Sequence, residues 1–265
     1  MVRRGREYPA ELDEQHATSI ADVLVVHDAE AAVDPELRQA GTPHLEAVLA
    51  RSPGSFDGAV LALDRISDGV VYAVRATYFD MLATCDAIAA DPALRDWAER
   101  LAAPDPLRIG TGRAAAVGIT AIVVRALTDG STGFTLGQRS PELALDPGKW
   151  HVVPSGIVDG RGLVGTILDE LAGEHGIADP LAALDGAQVI ALGYDVARIR
   201  PELTIMTRAL GDLAAPEPSD EFVAFREVTL ELNAIDELWS SLGPDDLTPG
   251  AAVAVAAVER HLIRR

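Results

Sequence analysis

Two glutamates, Glu170 and Glu174, stand four residues apart in the stretch Leu163-Val-Gly-Thr-Ile-Leu-Asp-Glu-Leu-Ala-Gly-Glu-His175. Leu163, Val164, Ile167, Leu168 and Leu171 recur there at three- and four-residue spacing, which predicts an amphipathic helix. On such a helix the two carboxylates sit one above the other on a single face. Like charges so placed repel by roughly 0.2–0.5 kcal/mol, and a cation between them reverses the sign. A divalent ion shared by carboxylates would neutralise developing oxyanion charge and acidify a bound water, the chemistry of metal-assisted hydrolysis. A solvated acidic face is the plainer reading of the same spacing.

Other side chains are placed to join that chemistry or to have ordinary duties. Arg139 ends a strand-like run, and its planar fork suits a phosphate unless Glu142 takes it. Trp150 and His151 are adjacent, so strand alternation sends them to opposite faces and only one can meet a pocket. Asp159 and Asp169 could complete the carboxylate set or pair locally. Tyr78 and Asp80 would reach a ligand only if the front of the chain covers the site; packing and capping are the alternatives. Cys85 is the only cysteine, which excludes an intramolecular disulfide, and it reads as a small buried hydrophobe.

From Lys149 to Ile177 the chain resembles the Nudix box, the strand–loop–helix motif G-x5-E-x7-R-E-U-x-E-E-x-G-U of the Nudix hydrolases, where U is a bulky aliphatic residue. Asp169-Glu170-Leu171-Ala172-Gly173-Glu174-His175-Gly176-Ile177 aligns with its helical half. Trp150 to Gly156 is similar to the W-x-x-P-G-G segment that commonly precedes it. The chain departs from the pattern at four places. Asp169 stands where the pattern has Arg, Gly173 replaces one metal-binding Glu, Arg161 or Gly162 occupies the early Glu position, and Gly156 is one residue out of register.

The resemblance implies an α/β fold, an α/β/α sandwich around a mixed sheet. It also implies hydrolysis of a diphosphate linkage by water activated on Mg²⁺, with Mn²⁺ as a substitute. Glu170 would bind the metal or help to activate water, Glu174 would bind metal, and Glu202 would be a third metal ligand or base. Arg139, Trp150, His151 and Gly156 would contact the substrate. Asp57 to Asp86, with Tyr78-Phe-Asp-x-Leu-Ala-Thr84, is similar to the front part of a Nudix branch that includes a UDP-sugar-hydrolysing member, which favours a nucleotide sugar. The missing carboxylates keep two alternatives open: a non-catalytic Nudix fold that binds a small ligand, and a hydrolase acting on a non-nucleotide diphosphate.

The elements that must position these residues are punctuated by Pro, Gly and Asp. Ala21 to Val26 reads as a strand, and Asp34-Pro35-Glu36 opens a helix towards Ala50 that Gly41-Thr42-Pro43 would break. Ala59 to Ile66 and Val70 to Ala76 form a hairpin across Asp68-Gly69. Thr77 caps a helical turn, and Asp91-Pro92 opens a helix to Leu101. Ala103-Pro-Asp-Pro106 marks a boundary, dividing 1–105, an added α+β subdomain, from 106–265, the domain carrying the box and a closing helix. In the second part, Ala114 to Leu127 reads as a central strand, Gly133 to Arg139 as its partner and Ala187 to Val196 and Glu202 to Leu210 as strands joined around Arg200-Pro201. Phe222 to Leu230 is a last strand, and helices cover Ile235 to Leu242 and Pro249 to Leu262.

Composition narrows the partners. The 265 residues allow a sizeable core, and a net charge of −19 argues against a nucleic-acid backbone or an anionic membrane. It is compatible with a small polyanionic diphosphate that arrives with its metal. The first residues lack the apolar core of a signal peptide, and no run reaches the ~18 apolar residues that span a bilayer, so a cytoplasmic protein is expected, with a homodimer compatible. There is no G-x-G-x-x-G after a strand, no phosphate-binding P-loop, no G-x-S-x-G elbow and no zinc-ligand spacing among the six histidines.

Overall fold

The computed structural model describes residues 1–13, 18–174, 176–177, 179–208 and 216–264. A small hairpin, β1 (Val2–Arg3) and β2 (Arg6–Glu7), leads into β3 (Ala10–Leu12), β4 (Thr18–Ser19), α1 (Ile20–Val23) and β5 (Leu24–Glu30). The long α2 (Pro35–Arg51) precedes the hairpin β6 (Ala59–Ser67) and β7 (Val70–Thr77). Three short pieces follow: α3 (Tyr78–Met81), a π-turn over Leu82–Asp86 and α4 (Ala87–Ala90). After α5 (Pro92–Leu101) come β8 (Gly118–Ala126), β9 (Thr132–Arg139), β10 (Trp150–Val153), β11 (Ser155–Ile157) and α6 (Gly162–Gly173). The chain closes with α7 (Pro180–Ala183), β12 (Gln188–Asp195), β13 (Arg200–Arg208), β14 (Phe222–Thr229), α8 (Leu232–Ser241) and α9 (Pro249–Ile263).

Nine strands form the main sheet in the order β10-β9-β8-β13-β12-β3, with β11 on β8, β14 on β9 and β4 on β12. The β8–β13 pair is parallel and its neighbours are antiparallel, so the sheet is mixed. Alternate residues of β8 and β13 leave opposite faces. Ile119, Val123, Leu203 and Ile205 join one apolar cluster with Leu163, Ile167 and Leu171 of α6. Ile122 joins the other, with Val253 to Ala256 and Val258 of α9 and Trp239 of α8. Helices on both faces of a mixed sheet make the expected α/β/α sandwich.

A second sheet, β5-β7-β6, packs on the α6 side, and its core residues Leu61, Leu63 and Val71 belong to the same cluster as Ile119 and Ile167. Backbone pairing crosses the 103–106 boundary in several places. Ala114 to Val117 runs beside β6, with Leu63 N–H donating to Ala115 at 2.9 Å and Val117 N–H to Leu61 at 2.9 Å. Strands β3 and β4 of the first stretch pair with β12 of the main sheet.

Several local expectations change. Residues 20–23 are helical rather than extended, because Ser19 caps them through Ala21 N–H, and the strand begins only at Leu24. Helix α2 passes through Gly41-Thr42-Pro43 without ending. A Cβ at Gly41 would collide with the Ala83 backbone, so this glycine permits close packing of α2 on the π-turn instead of breaking the helix. The turn before β13 lies at 196–199, with Ile199 at φ 51°, and Arg200-Pro201 are the first residues of the strand. The helix carrying the two glutamates ends at Gly173, with Glu174 as its C-cap; His175 lies outside the described residues, as do the expected strand end at 209–210 and His16. Asp68 and Gly69 both adopt positive φ, as the tight β6–β7 turn requires.

Candidate active site

At one end of the main sheet lies a cavity of about 840 Å³, lined by residues from both halves of the chain. Helix α6 presents its two acids to it. Strand β11 lies beneath α6, and a Cβ at Gly156 would collide with the Glu170 carboxylate, so the absent side chain is what lets that acid reach the backbone. One residue earlier, Ser155 N–H donates to Glu174 at 2.9 Å. Strand end and helix end are thus joined through the carboxylates themselves.

Both acids bind protons more tightly than ordinary glutamates. Burial is the main cause for Glu170, which is pushed up to about 7, and the charges of Glu221 and Asp159 add to it while Arg161 opposes. Glu174 is raised well above its ordinary value by burial, by Glu221 and by Glu170, with the Ser155 N–H opposing. Glu221, just before β14, is the residue that sequence reasoning missed: it lines the same cavity and its charge raises both acids. No local motif marks it. Only the pairing of β14 with β9, which sets Phe222 opposite Arg139, brings it to the site.

The departures from the family pattern acquire a structural account at Arg161. The pattern has Glu and Arg eight residues apart; this chain has Arg161 and Asp169, and the two are ion-paired. Arg161 also binds Asp159, whose carboxylate accepts from Arg161 N–H at 2.8 Å and from the Thr166 hydroxyl at 3.1 Å, securing the start of α6. Asp159 and Asp169 are therefore engaged locally and do not supply the missing carboxylates. Among the described residues, no group of three or more His, Cys, Asp or Glu is arranged to hold a metal ion by itself.

Glu202 lines the cavity but does not stand with the pair. Strand register sets Gly156, Ile119 and Leu203 in one row and Ile157, Gly118 and Glu202 in the next. Adjacent rows face opposite ways, so Glu170 approaches from the α6 side and Glu202 from the α9 side. There Glu202 pairs with Arg200 at 2.9 Å, next to Gly118 and Gly250. Burial raises it to about 7, against the pull of Arg200.

The expected substrate contacts divide similarly. Arg139 lines the cavity, but its Nη1 donates to Glu221 at 3.1 Å and its Nε to the Leu145 carbonyl at 3.2 Å; its partner is Glu221 rather than Glu142. His151 faces the cavity and is bonded through Nδ1 to Thr248, the N-cap of α9. Burial, with Arg139 and Arg200 nearby, lowers its pKa to about 3, so it is neutral. Trp150 turns the other way and packs on the α9-side cluster, which removes it from the cavity wall. Tyr78 is part of that wall, whereas Asp80 is ion-paired with Arg38. Cys85 is buried, and desolvation pushes its thiol up to about 11.

No family model matches the chain, and no curated protein matches it. Several solved structures show a likeness. A MutT protein from Methanosarcina mazei Go1 is 19% identical, with a TM-score of 0.39, over 56% of this chain and 93% of its own. A Nudix hydrolase from M. smegmatis, RenU, is 15% identical, with a TM-score of 0.37, over 57% and 88%. A bifunctional NMN adenylyltransferase/ADP ribose pyrophosphatase from Francisella tularensis, complexed with AMP and a Mn ion, is 13% identical, with a TM-score of 0.42, over 69% and 49%.

Proposed function

We propose that the protein hydrolyses a diphosphate linkage in a small molecule, a nucleoside diphosphate derivative, at a divalent metal held by Glu170 and Glu174. The observation that carries this reading is the pair itself: two carboxylates, both pushed towards the neutral form, brought together by a glycine and a backbone N–H in a cavity large enough for a nucleotide. Two or three acids without a full cage fit Mg²⁺, which typically takes one or two carboxylates and completes its shell with water and substrate phosphates. They do not fit zinc, whose catalytic sites take three protein ligands including His or Cys.

Bound there, the metal would supply positive charge at the phosphoryl oxygens and a water of lowered pKa. The chain's own part is positional and electrostatic. Ser155 N–H fixes the Glu174 carboxylate, Gly156 admits that of Glu170, and Glu221 adds a third acid to the same cavity wall. Arg139, tethered by Leu145, keeps Glu221 aimed. Glu174→Gln is expected to remove Mg²⁺-dependent release of monophosphate, by roughly 10²-fold or more, with melting temperature retained; unaltered turnover would contradict the proposal.

A ligand-binding protein without catalysis is the second reading, favoured by the lack of a three-ligand metal group among the described residues. Calorimetric titration with MgCl₂ separates the two, since specific uptake that Glu174→Gln abolishes belongs to the hydrolase reading alone.

A further inference from the structure

Across the cavity from the acid pair, the start of β13 and the first turn of α9 meet in one corner. Arg200 lines this corner and is 9% exposed. Its Nη2 is paired with Glu202 at 2.9 Å, and its Nε stands 3.7 Å from Asp195. Its Nη1 has no hydrogen-bond partner among the described residues. A buried guanidinium donor left unmade is costly, so the position calls for an acceptor. The helix end beside it is a donor as well. Thr248 caps α9 by accepting from Ala251 N–H at 3.1 Å, and Gly250 lines the cavity at the positive end of this fifteen-residue helix. A Cβ at Gly250 would press on the His151 ring and the Glu202 carboxylate, so the glycine keeps the corner open. His151 reports the local field. Burial first, and then Arg139 and Arg200, drive its proton off, and the two cations together outweigh Asp146.

A free guanidinium edge and a helix N-terminus, in a positive field, ask for a group that only accepts, an oxyanion. Glu202 is the opposing charge in the corner, and it already holds the Nη2 edge. Burial raises this acid to about 7, so it can take a proton and stay beside an arriving anion as a donor. We infer that Arg200 and the N-terminus of α9 form an anion subsite, apart from the acid pair, for a phosphoryl group of the substrate. This rests on Glu170 and Glu174 being the metal end of the site, and it gives the substrate's second phosphoryl group to the α9 wall.

Calorimetric titration with inorganic phosphate in EDTA isolates this corner, because the acid pair repels anions when no metal is bound. The wild type is expected to take up phosphate saturably in the millimolar range. Arg200→Gln should weaken that binding about tenfold or more, the worth of a hydrogen bond to a charged group. Glu202→Gln keeps the shape and removes the competing charge, so it should tighten binding by about as much. Opposite signs in the two variants are the signature, since damage to the fold would weaken both. Phosphate bound as well by Arg200→Gln as by the wild type lies elsewhere and overturns the subsite. Should Arg200→Gln fail to fold, the other comparison decides alone: phosphate bound no more tightly by Glu202→Gln than by the wild type overturns it too. None of these results touches Mg²⁺ uptake by the acid pair, so the subsite can fall while the hydrolase reading stands. Phosphate binding of the expected pattern in a chain that takes up no Mg²⁺ leaves an anion site and removes its assignment to the substrate's second phosphoryl group.

Discussion

Glu170 and Glu174 illustrate what spacing reveals and what it leaves out. Their shared helix face follows from a separation of four, and the small residue at 156 is visible as the end of an apolar strand. What the spacing does not show is why that residue is small. A methyl group at 156 would occupy the volume of the Glu170 carboxylate. Gly156→Ala is therefore expected to displace the acid and lower turnover by roughly 10²-fold, since misplacement by about 1 Å at a catalytic group costs that much. Kinetics alongside a thermal melt check this; wild-type kcat would show that Glu170 tolerates the shift. Glu202 enters the cavity from the opposite sheet face to the pair, for a reason of parity. A single residue of register decides which sheet face a side chain leaves by, and register depends on pairing with β8, which the sequence of β13 does not display. Glu221 was hidden for the same kind of reason, being brought in by its neighbour's pairing with Arg139's strand.

At the scale of elements, capping signals were legible because they are local chemistry. Asp34 accepts from Leu37 N–H at 2.7 Å, Asp91 from Ala93 N–H at 2.8 Å and Thr77 from Asp80 N–H at 3.2 Å, each at a helix start predicted from its Asp-Pro or Thr. Helix α2 was misread because Gly41 and Pro43 were weighed as local breakers, whereas the packing partner of residue 41 lies in the π-turn, far along the chain. The two interpretations differ in sign. A glycine serving only as a poor helix former would gain about 0.5–1 kcal/mol on replacement by alanine. A glycine pressed on the Ala83 carbonyl would lose about 1–3 kcal/mol from overpacking. Gly41→Ala is expected to destabilise, and a chemical denaturation series reads the sign directly.

Across the whole molecule, the two halves are joined by a buried ionic cluster as well as by the shared core. Arg198 sits among Asp86, Asp195 and Asp146 at 2.7, 2.9 and 3.1 Å, linking the π-turn of the first half to the ends of β12 and of the loop before β10. Burial alone would push Asp86 up, but the hydrogen bond from His44 and the charge of Arg198 bring it below its ordinary 3.8. Asp146 is likewise raised by burial and then lowered, beneath the same 3.8, by Arg198 and Lys149. Because the folded values lie below the unfolded ones, both acids contribute stability that is complete above about pH 4 and lost as pH falls through the folded values. Melting temperature should accordingly drop on acidification below that point. Arg198→Met, which leaves three carboxylates without their cation, should cost about 3–5 kcal/mol at neutral pH and flatten the acid limb. Such a cluster is invisible in a linear reading, because Asp86, Asp146, Asp195 and Arg198 converge only after β12 turns into β13.

The central claim is that Glu170 and Glu174 share a divalent ion at the mouth of the cavity. Anomalous diffraction from crystals soaked in MnCl₂ tests it most directly. The account predicts a peak within about 2.0–2.6 Å of an oxygen from each glutamate, the range of oxygen ligation to hard divalent cations, and its loss in Glu174→Gln crystals. A site that stays empty of manganese at millimolar soak, or a peak coordinated elsewhere with both carboxylates left aside, would contradict it.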